Sequence, residues 1–264
     1  MIKLIASDLD GTLLTPEGNL PDGIFKLIEQ LYHKNIIFCV ASGRQLVALQ
    51  NMFNPVLDKI ILLAENGSIV YYQGQYLYFD TLSSTQALQI LDLIKEIQNI
   101  YPLFCTPLCA YYQTPCEPFL SYVKASYLVN AEANLASVAQ TYDVCKIAIY
   151  DALGPENNCM KILPSKLASF RVIQSGGNWL DISQKHTTKG NALRIIKQYF
   201  GLSKEECVAF GDHMNDYEML LECGQSFVPE NAYPLLKDEF PVVASNTRSG
   251  VFRAISNIAA LHSV

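Results

Sequence analysis

The chain of 264 residues is 50% hydrophobic, which is enough for one large domain or two moderate ones, each with its own core. Lys and Arg number 19 against 25 Asp and Glu, and the net charge of -6 comes without a basic block, which argues against a nucleic-acid partner. No apolar run is long enough for a signal peptide or a membrane span, so we expect a soluble, cytoplasmic protein without a membrane partner.

The first predicted element is a short strand that ends in two carboxylates. A largely apolar run over residues 2–6 comes directly before Asp8 and Asp10 of "DLDGT". Side chains two apart along a strand project to the same side, so both carboxylates can face one point. Their repulsion requires a cation or a shared proton. The stretch therefore indicates a metal or acid/base site, and a surface turn rich in Asp and Gly remains the alternative.

Further along the chain, apolar runs alternate with stretches of helical periodicity. In "KGNALRIIKQYF" (189–200) the apolar residues fall on one stripe at helical spacing. The near-continuous apolar runs are typical of parallel strands covered on both faces: "IIFCVAS" (36–42), "KIILLAE" (59–65), "CVAFGD" (207–212) and "FPVVAS" (240–245). The alternation predicts an α/β fold with an open, doubly wound parallel sheet, whose ligands bind at the carboxyl ends of the strands.

The middle of the chain follows a different pattern. A predicted helix at 84–98 and a region rich in Tyr, Pro and Cys precede three predicted strands, at 144–150, 170–175 and 178–183. The "SGGN" between the last two is typical of a hairpin turn. Because the parallel pattern resumes after Lys189, we expect a core of residues 1–82 plus 184–264, with residues 83–183 as an inserted α/β domain.

Eight cysteines in a chain of this size without a signal peptide predict mostly free thiols rather than a disulfide framework. Cys39 and Cys207 lie inside apolar runs and are predicted core residues. The loosely spaced Cys105, Cys109 and Cys116 raise the alternative of a zinc site, but they form no CxxC pair and have no nearby His, which favours packing.

Polar residues follow three other predicted elements. In "VASGR", Ser42 ends a strand, and Gly43 allows a ligand to approach the backbone, although a helix N-cap serine also fits. Lys189 opens the helix at 189–200, where the macrodipole disfavours a cation, so a buried anion would help to explain it. In "FGDHMND", Asp212 ends a strand, and Asp216 would share a face with it if a helix starts within the motif.

Together these stretches supply four acids, one hydroxyl and one lysine, as phosphoryl transfer from a small phosphate ester to water requires. The hard oxygen ligands suit Mg2+. Asp8 is the predicted nucleophile, which forms an aspartyl-phosphate. Asp10 is the predicted acid for the leaving group and base for the water. Ser42 and Lys189 would hold the phosphoryl oxygens.

The order of the motifs "DLDGT", "ASGR", Lys189 and "GDHMND" resembles that of haloacid dehalogenase-like phosphatases of the Cof type. The stretches "AENGS" (64–68) and "VASNTRSGV" (243–251) extend the resemblance nearly from end to end. It implies a Rossmann-like core with an inserted α/β cap that selects the substrate, commonly a sugar phosphate. It also implies Mg2+ ligands from the Asp8 carboxylate, the Asp10 carbonyl, Asp212 and, close by, Asp216. The predicted phosphate-binding residues are Leu9, Ser42, Gly43, Lys189 and Asn215.

Two positions depart from the pattern of this family: His213 stands where many relatives have a small residue, and Glu230 replaces a glycine before Asn231 and Ala232. These departures concern the shape of the loops and the substrate rather than the metal ligands. A phosphomutase of the same fold, a receiver-like signalling module and a regulatory phosphate-binding protein remain alternatives. The receiver-like module explains neither Asp10 nor a cap of this size.

Overall fold

The computed structural model describes residues 1–261, and the chain folds into two compact units. The first unit contains Met1–Gly43, Leu49–Tyr78 and the chain from Thr188 onward, and the second contains Arg44–Ala48 and Phe79–Thr187. The second unit encloses the predicted segment 83–183 and extends beyond it at both ends. The role of residues 83–183 as a cap that selects the substrate stays a prediction.

An eight-stranded sheet organises the first unit, in the order β14-β13-β12-β1-β2-β3-β4-β5. All pairs from β14 through to β3 are parallel, and β4 joins β3 in the antiparallel sense. The strands span Leu4–Asp8 (β1), Ile37–Ala41 (β2), Ile60–Ala64 (β3), Ile69–Tyr72 (β4), Gln75–Phe79 (β5), Cys207–Phe210 (β12), Gln225–Pro229 (β13) and Val242–Val243 (β14). The predicted α/β class with a mainly parallel sheet is therefore confirmed, although the run at 240–245 yields a strand of only two residues.

Helices flank this sheet. The helices of the first unit and its junctions are Ile24–His33 (α1), Leu46–Met52 (α2), Lys189–Phe200 (α7), Tyr217–Leu221 (α8), Pro234–Glu239 (α9) and Gly250–Leu261 (α10). The predicted stripe on α7 is buried: Ala192, Leu193 and Ile196 pack into one cluster with residues of the sheet and of α8. Cys39 and Cys207 belong to the same cluster and are fully buried, as predicted.

The second unit has a six-stranded sheet in the order β10-β11-β9-β6-β7-β8. Its strands span Ile100–Cys105 (β6), Ala110–Tyr112 (β7), Asn130–Glu132 (β8), Lys146–Asp151 (β9), Phe170–Gly176 (β10) and Trp179–Gln184 (β11), and its helices span Ser84–Ile94 (α3), Phe119–Ser126 (α4), Leu135–Thr141 (α5) and Leu163–Lys166 (α6). The predicted hairpin is present, since β10 and β11 pair antiparallel around Gly176 and Gly177, both with positive φ. Among residues 1–261, no helix has both the length and the apolar character needed to cross a membrane.

Candidate active site

Asp8 lies at the carboxyl end of β1, the central strand of a buried parallel group, and only 5% of it is exposed. Its Oδ1 accepts a hydrogen bond of 2.5 Å from the Nζ of Lys189, and the same ammonium donates to Oδ1 of Asp216 at 2.6 Å. All three residues are buried. A single lysine therefore joins two carboxylates that come from distant parts of the chain.

Lys189 reaches this position because it is the first residue of α7. Thr188 is the N-cap of that helix, and its hydroxyl accepts a hydrogen bond from the backbone N–H of Asn191 at 3.0 Å. The cap fixes where the helix begins and so where the lysine leaves the backbone. A cation is disfavoured at a helix N-terminus, but here two carboxylates offset that cost. They are the buried anions that the sequence analysis expects beside Lys189.

The turn after β1, Leu9–Leu13, contacts the carboxylate of Asp212. Gly11 has a φ of +82°, and a Cβ at this position would lie 2.3 Å from Oδ2 of Asp212. The hydroxyl of Thr12 donates to the other carboxylate oxygen of Asp212 at 2.9 Å. Only glycine permits both this backbone conformation and this close approach. Asp10 lies in the same turn with an exposed side chain, two residues after Asp8.

Asp212 and Asp216 are held together by the backbone of the loop that follows β12. Oδ2 of Asp216 accepts hydrogen bonds from the N–H groups of Asp212 at 3.0 Å and His213 at 3.2 Å. The helix expected within the motif begins later: Met214–Asp216 forms a 3-10 turn, and α8 starts at Tyr217. The two acids are adjacent because the carboxylate of Asp216 accepts the backbone N–H of Asp212, rather than because they share a helical face.

Burial and mutual repulsion dominate the electrostatics of these acids. Burial raises the pKa of Asp8 well above its usual range, and the charges of Asp216 and Asp212 add to this, while Lys189 acts in the opposite direction. Burial and Asp216 also raise the pKa of Asp212. Burial by itself would lower the pKa of Lys189, but its two carboxylate partners outweigh that effect and raise it. The site thus holds one positive charge, on Lys189, among three acids. A further positive charge would stabilise these acids in their charged form.

The predicted phosphate-binding residues lie near this centre in the first unit. Ser42 follows β2 and is buried. A Cβ on Gly43 would lie 3.0 Å from the side-chain amide of Asn66, so the glycine allows a close approach here. Asn66 in turn accepts a hydrogen bond of 3.2 Å from Asn215. Leu9 is buried in the turn after Asp8.

The donor set fits a hard divalent cation. Asp8, Asp212 and Asp216 each offer a carboxylate oxygen, and these oxygens lie within 4.8 Å of one another. Oδ2 of Asp8 is buried and has no hydrogen-bond partner among residues 1–261, which is costly unless something else binds it. Three carboxylates against one ammonium leave an excess of negative charge. Oxygen ligands and this charge are what a cation such as Mg2+ prefers.

Sequence reasoning missed several supporting residues. Thr12 orients Asp212, and Asn231 donates from Nδ2 to the carbonyl oxygen of Gly11 at 2.7 Å. The position of Thr12 inside "DLDGT" was an available signal, but no spacing rule links residue 231 to residue 11. Of the two departures, Glu230 forms an ion pair with Arg248, and the ring of His213 lies 5.5 Å from that of Tyr233. These contacts give both residues structural partners.

Comparison with known proteins places this geometry in a family. A family model described as haloacid dehalogenase-like hydrolase matches residues 5–255, which include every acid described above. The chain belongs to the haloacid dehalogenase-like hydrolases. The family resemblance drawn from the motifs, and with it the prediction of an enzyme of the phosphoric monoester hydrolase class, is confirmed.

Several relatives that match this chain over nearly their whole length support this assignment. A 5-amino-6-(5-phospho-D-ribitylamino)uracil phosphatase from Escherichia coli (strain K12) is 28% identical and covers 97% of this chain and 96% of its own. An HMP-PP phosphatase from Klebsiella pneumoniae (strain 342) is also 28% identical, with 91% and 89% covered. A solved structure from Thermotoga maritima is 28% identical, with a TM-score of 0.85 and 97% of each chain covered.

Proposed function

We propose that this hydrolase is a Mg2+-dependent phosphatase that cleaves a small phosphomonoester through an aspartyl-phosphate on Asp8. The single observation that carries the proposal is the environment of the Asp8 carboxylate. One oxygen pairs with Lys189 at 2.5 Å, and the other is buried without a hydrogen-bond partner among the described residues. A carboxylate in this state is held in place by one oxygen while the other remains available to react.

In the first step, a carboxylate oxygen of Asp8 attacks phosphorus, so a phosphorus–oxygen bond to Asp8 forms as the bond to the leaving alcohol breaks. Asp10 gives its proton to that alcohol. In the second step, Asp10 removes a proton from a water, which attacks the aspartyl-phosphate and releases inorganic phosphate with Asp8 restored. Asp10 suits both steps because its exposed side chain lies in the turn directly after Asp8.

The negatively charged phosphoryl oxygens need hydrogen-bond donors or cations beside them in both steps of the reaction. Lys189 lies beside Asp8, and Ser42 and Gly43 follow the neighbouring strand β2, so we assign them, with Leu9 and Asn215, to the phosphoryl oxygens. Asp8, Asp212, Asp216 and the carbonyl of Asp10 are the proposed ligands of Mg2+. When bound, this ion would neutralise charge on the acids and the phosphoryl group.

The ester alcohol is proposed to come from a small phosphorylated metabolite, such as a sugar phosphate. The name of the Escherichia coli relative describes a phosphorylated ribityl compound, which belongs to this chemical class. A cytoplasmic location and the lack of nucleic-acid or membrane partners stay predictions from the sequence.

The test is a screen of phosphorylated metabolites for phosphate release, with Mg2+ and with EDTA. We expect hydrolysis only with Mg2+, and its loss in Asp8→Asn, because an amide is a poor nucleophile and a neutral ligand. Asp58→Asn is the matched control, since that side chain is 75% exposed. Full turnover by Asp8→Asn, or full activity in EDTA, contradicts the proposal. Activity that appears only with an added sugar bisphosphate would favour a phosphomutase instead.

A further inference from the structure

The turn that follows β3, Glu65–Gly67, has an unusual backbone conformation. Its three residues all have a positive φ, which is +50° at Glu65, +56° at Asn66 and +108° at Gly67. Residues other than glycine rarely adopt this conformation, and a protein keeps it only where the surrounding contacts fix it, most often at a functional site. The contacts of this turn therefore identify the part of the site that it supports.

The backbone of the turn contacts two segments that carry proposed phosphate-binding residues. The N–H of Asn66 donates to the carbonyl oxygen of Ser42 at 3.0 Å. A Cβ on Gly67 would lie 2.4 Å from the carbonyl oxygen of Thr188, so the turn packs directly against the residue before Lys189. The turn thus lies between the segment that follows β2 and the start of α7, and all of these residues belong to the first unit.

The side chain of Asn66 contacts two further residues of the proposed phosphate site. Its Oδ1 accepts a hydrogen bond of 3.2 Å from Nδ2 of Asn215. The same carboxamide packs against the backbone of Gly43, where an added Cβ would lie 3.0 Å from both Oδ1 and Nδ2 of Asn66. Asn66 and Asn215 are half-buried. The carboxamide of Asn66 is therefore held between the loop after β2 and the loop after β12.

The contact with Asn66 decides how the carboxamide of Asn215 is oriented. A carboxamide has an acceptor oxygen and an NH2 group with two hydrogens. Because Asn66 offers its oxygen, the NH2 group of Asn215 faces it rather than the carbonyl oxygen. One hydrogen of that group forms this bond, and the second can donate to an anion. In the opposite orientation Asn215 would present a carbonyl oxygen, which repels a phosphoryl oxygen.

We propose that Asn66 is a positioning residue of the phosphate site, which holds Asn215 in the orientation that donates to the phosphoryl group. Asn66 acts through Asn215 and does not itself touch the substrate. The inference rests on the proposed function, from which it takes the assignment of Asn215 to a phosphoryl oxygen. That oxygen is present in the ester and in the transition state alike, so loss of the donor should raise KM and leave kcat nearly unchanged.

A comparison of single and double variants tests this role, with inorganic phosphate as the probe. Calorimetric titration in the presence of Mg2+ gives the affinity for phosphate, and turnover of p-nitrophenyl phosphate gives kcat and KM. Asn66→Gly removes the carboxamide and suits the positive φ, so we expect it to fold. Asn66→Gly and Asn215→Ala should each weaken phosphate binding and raise KM about tenfold, as loss of a hydrogen bond to a charged group does. The double variant should be at most about twofold worse than Asn215→Ala alone, because both changes remove the same interaction.

Two further variants separate the hydrogen bond from the backbone of the turn. Asn35→Gly is the matched control and should behave as the wild type, because Asn35 also has a positive φ, +57°, and is exposed in the first unit. Asn66→Asp keeps an acceptor oxygen for Asn215 and tolerates a positive φ. Adding Asn215→Ala to Asn66→Asp should therefore still weaken phosphate binding about tenfold, and the extra negative charge cancels because both proteins carry it.

Several outcomes would contradict the role of Asn66. It is wrong if the losses from Asn66→Gly and Asn215→Ala multiply in the double variant, if Asn215→Ala has no effect when added to Asn66→Asp, or if Asn66→Gly lowers kcat at an unchanged KM. If Asn215→Ala alone binds phosphate as the wild type does, the assignment of Asn215 is wrong as well. A wild-type protein that binds phosphate but hydrolyses no ester would contradict the proposed function, while the phosphate titrations would still decide the role of Asn66.

Discussion

At the residue scale, the site depends on acids that the sequence predicts and on a link between them that it does not. Asp8 and Asp212 meet because Asp8 ends β1 and Asp212 follows β12, which is the adjacent parallel strand, as the rule for strand ends predicts. The bridge from Lys189 to both Asp8 and Asp216 depends on the reach of one side chain from a helix start. No spacing in the sequence reports that reach, so it became visible only in the structure.

The role of Asp10 can be separated from that of Asp8 by the choice of leaving group. If Asp10 donates the leaving-group proton, Asp10→Asn should slow alkyl phosphates at least tenfold more than p-nitrophenyl phosphate, whose phenolate departs with little help. The measurement is kcat/KM for both esters in the wild type and the variant. Equal losses on both esters would mean that Asp10 acts on the metal or on the turn instead.

At the element scale, the position of Lys189 depends on how closely α7 approaches α8. A Cβ on Gly190 would lie 2.5 Å from Cβ of Glu218 and 2.8 Å from its carbonyl carbon, so the two helices meet where Gly190 has no side chain. Across the same interface, the hydroxyl of Thr188 donates to a carboxylate oxygen of Glu218 at 2.6 Å. The start of α7, and with it the lysine, is fixed by this contact.

We therefore expect Gly190→Ala to destabilise the protein by about 1–3 kcal/mol, as overpacking of a core does. The direction of the change in stability is informative, because at an exposed helix position Gly→Ala would stabilise the protein by up to about 1 kcal/mol. Thermal unfolding measures the effect, and Gln198→Ala, at an exposed position of the same helix, is the control. A Gly190→Ala protein as stable as the wild type would show that the two helices can separate without cost.

The other end of this helix pair is joined by Glu222, which accepts hydrogen bonds from Lys197 at 2.6 Å and from Arg194 at 2.7 Å. Burial raises the pKa of Glu222, but these two cations outweigh burial and hold it below its usual range. A carboxyl with a lowered pKa in the folded state stabilises that state above its unfolded pKa. This contribution is lost as the pH falls through the folded pKa.

Glu222→Gln should therefore lower the free energy of unfolding by about 1 kcal/mol at pH 7, with a difference that shrinks toward zero as the pH falls below the usual range of a glutamate. Chemical denaturation at several pH values measures the difference. Glu29→Gln, at an exposed position on α1, is the control. A difference that is constant with pH would assign the loss to packing rather than to the charge.

Elements with strong apolar character were predictable, and short or irregular ones were not. The runs that became β2, β3 and β12 are apolar throughout, and β1 is apolar up to Ser7, since both of their faces are covered. The three-residue strands β7 and β8 lie in the region rich in Tyr, Pro and Cys, where β7 pairs with β6 and β8 pairs with β7, and neither has an apolar run of its own. The strand predicted at 240–245 is present but shorter than its apolar run, because only Val242 and Val243 pair with β13 at the edge of the sheet.

At the scale of the whole molecule, the second unit covers the part of the chain where the sequence pattern changes, and its main segment, Phe79–Thr187, extends beyond residues 83–183. Leu82, at the predicted boundary, forms an antiparallel bridge with Val144 inside the second unit. Nearer the ends of that unit, the hydroxyl of Thr187 donates to the carboxylate of Asp80 at 2.5 Å. These local interactions extend the second unit to Phe79 and Thr187, and periodicity in the sequence does not report them.

The ends of the second unit show which segment to remove in a test of the prediction that the insertion selects the substrate. Residues 79–187 should be replaced by a short Gly/Ser linker, because a cut at 83–183 would leave Leu82 without Val144. The proposed ligands of Mg2+ and phosphate, Asp8, Ser42, Lys189 and Asp212, all lie in the first unit. We therefore expect Mg2+ and inorganic phosphate to bind within about threefold of the wild-type affinity, and the ranking among phosphorylated metabolites to flatten.

Calorimetric titration with Mg2+ and phosphate, together with kcat/KM over a panel of esters, tests this expectation. Circular dichroism must first show a folded core, because Gln45, in the Arg44–Ala48 segment of the second unit, loses its hydrogen bonds to Val129. Inserting the same linker between Gly176 and Gly177, at the exposed tip of the β10–β11 hairpin, provides the control, since it adds the linker and keeps the second unit. If the shortened protein folds and keeps the substrate ranking of the wild type, selection must come from loops of the first unit, such as those around His213 and Glu230.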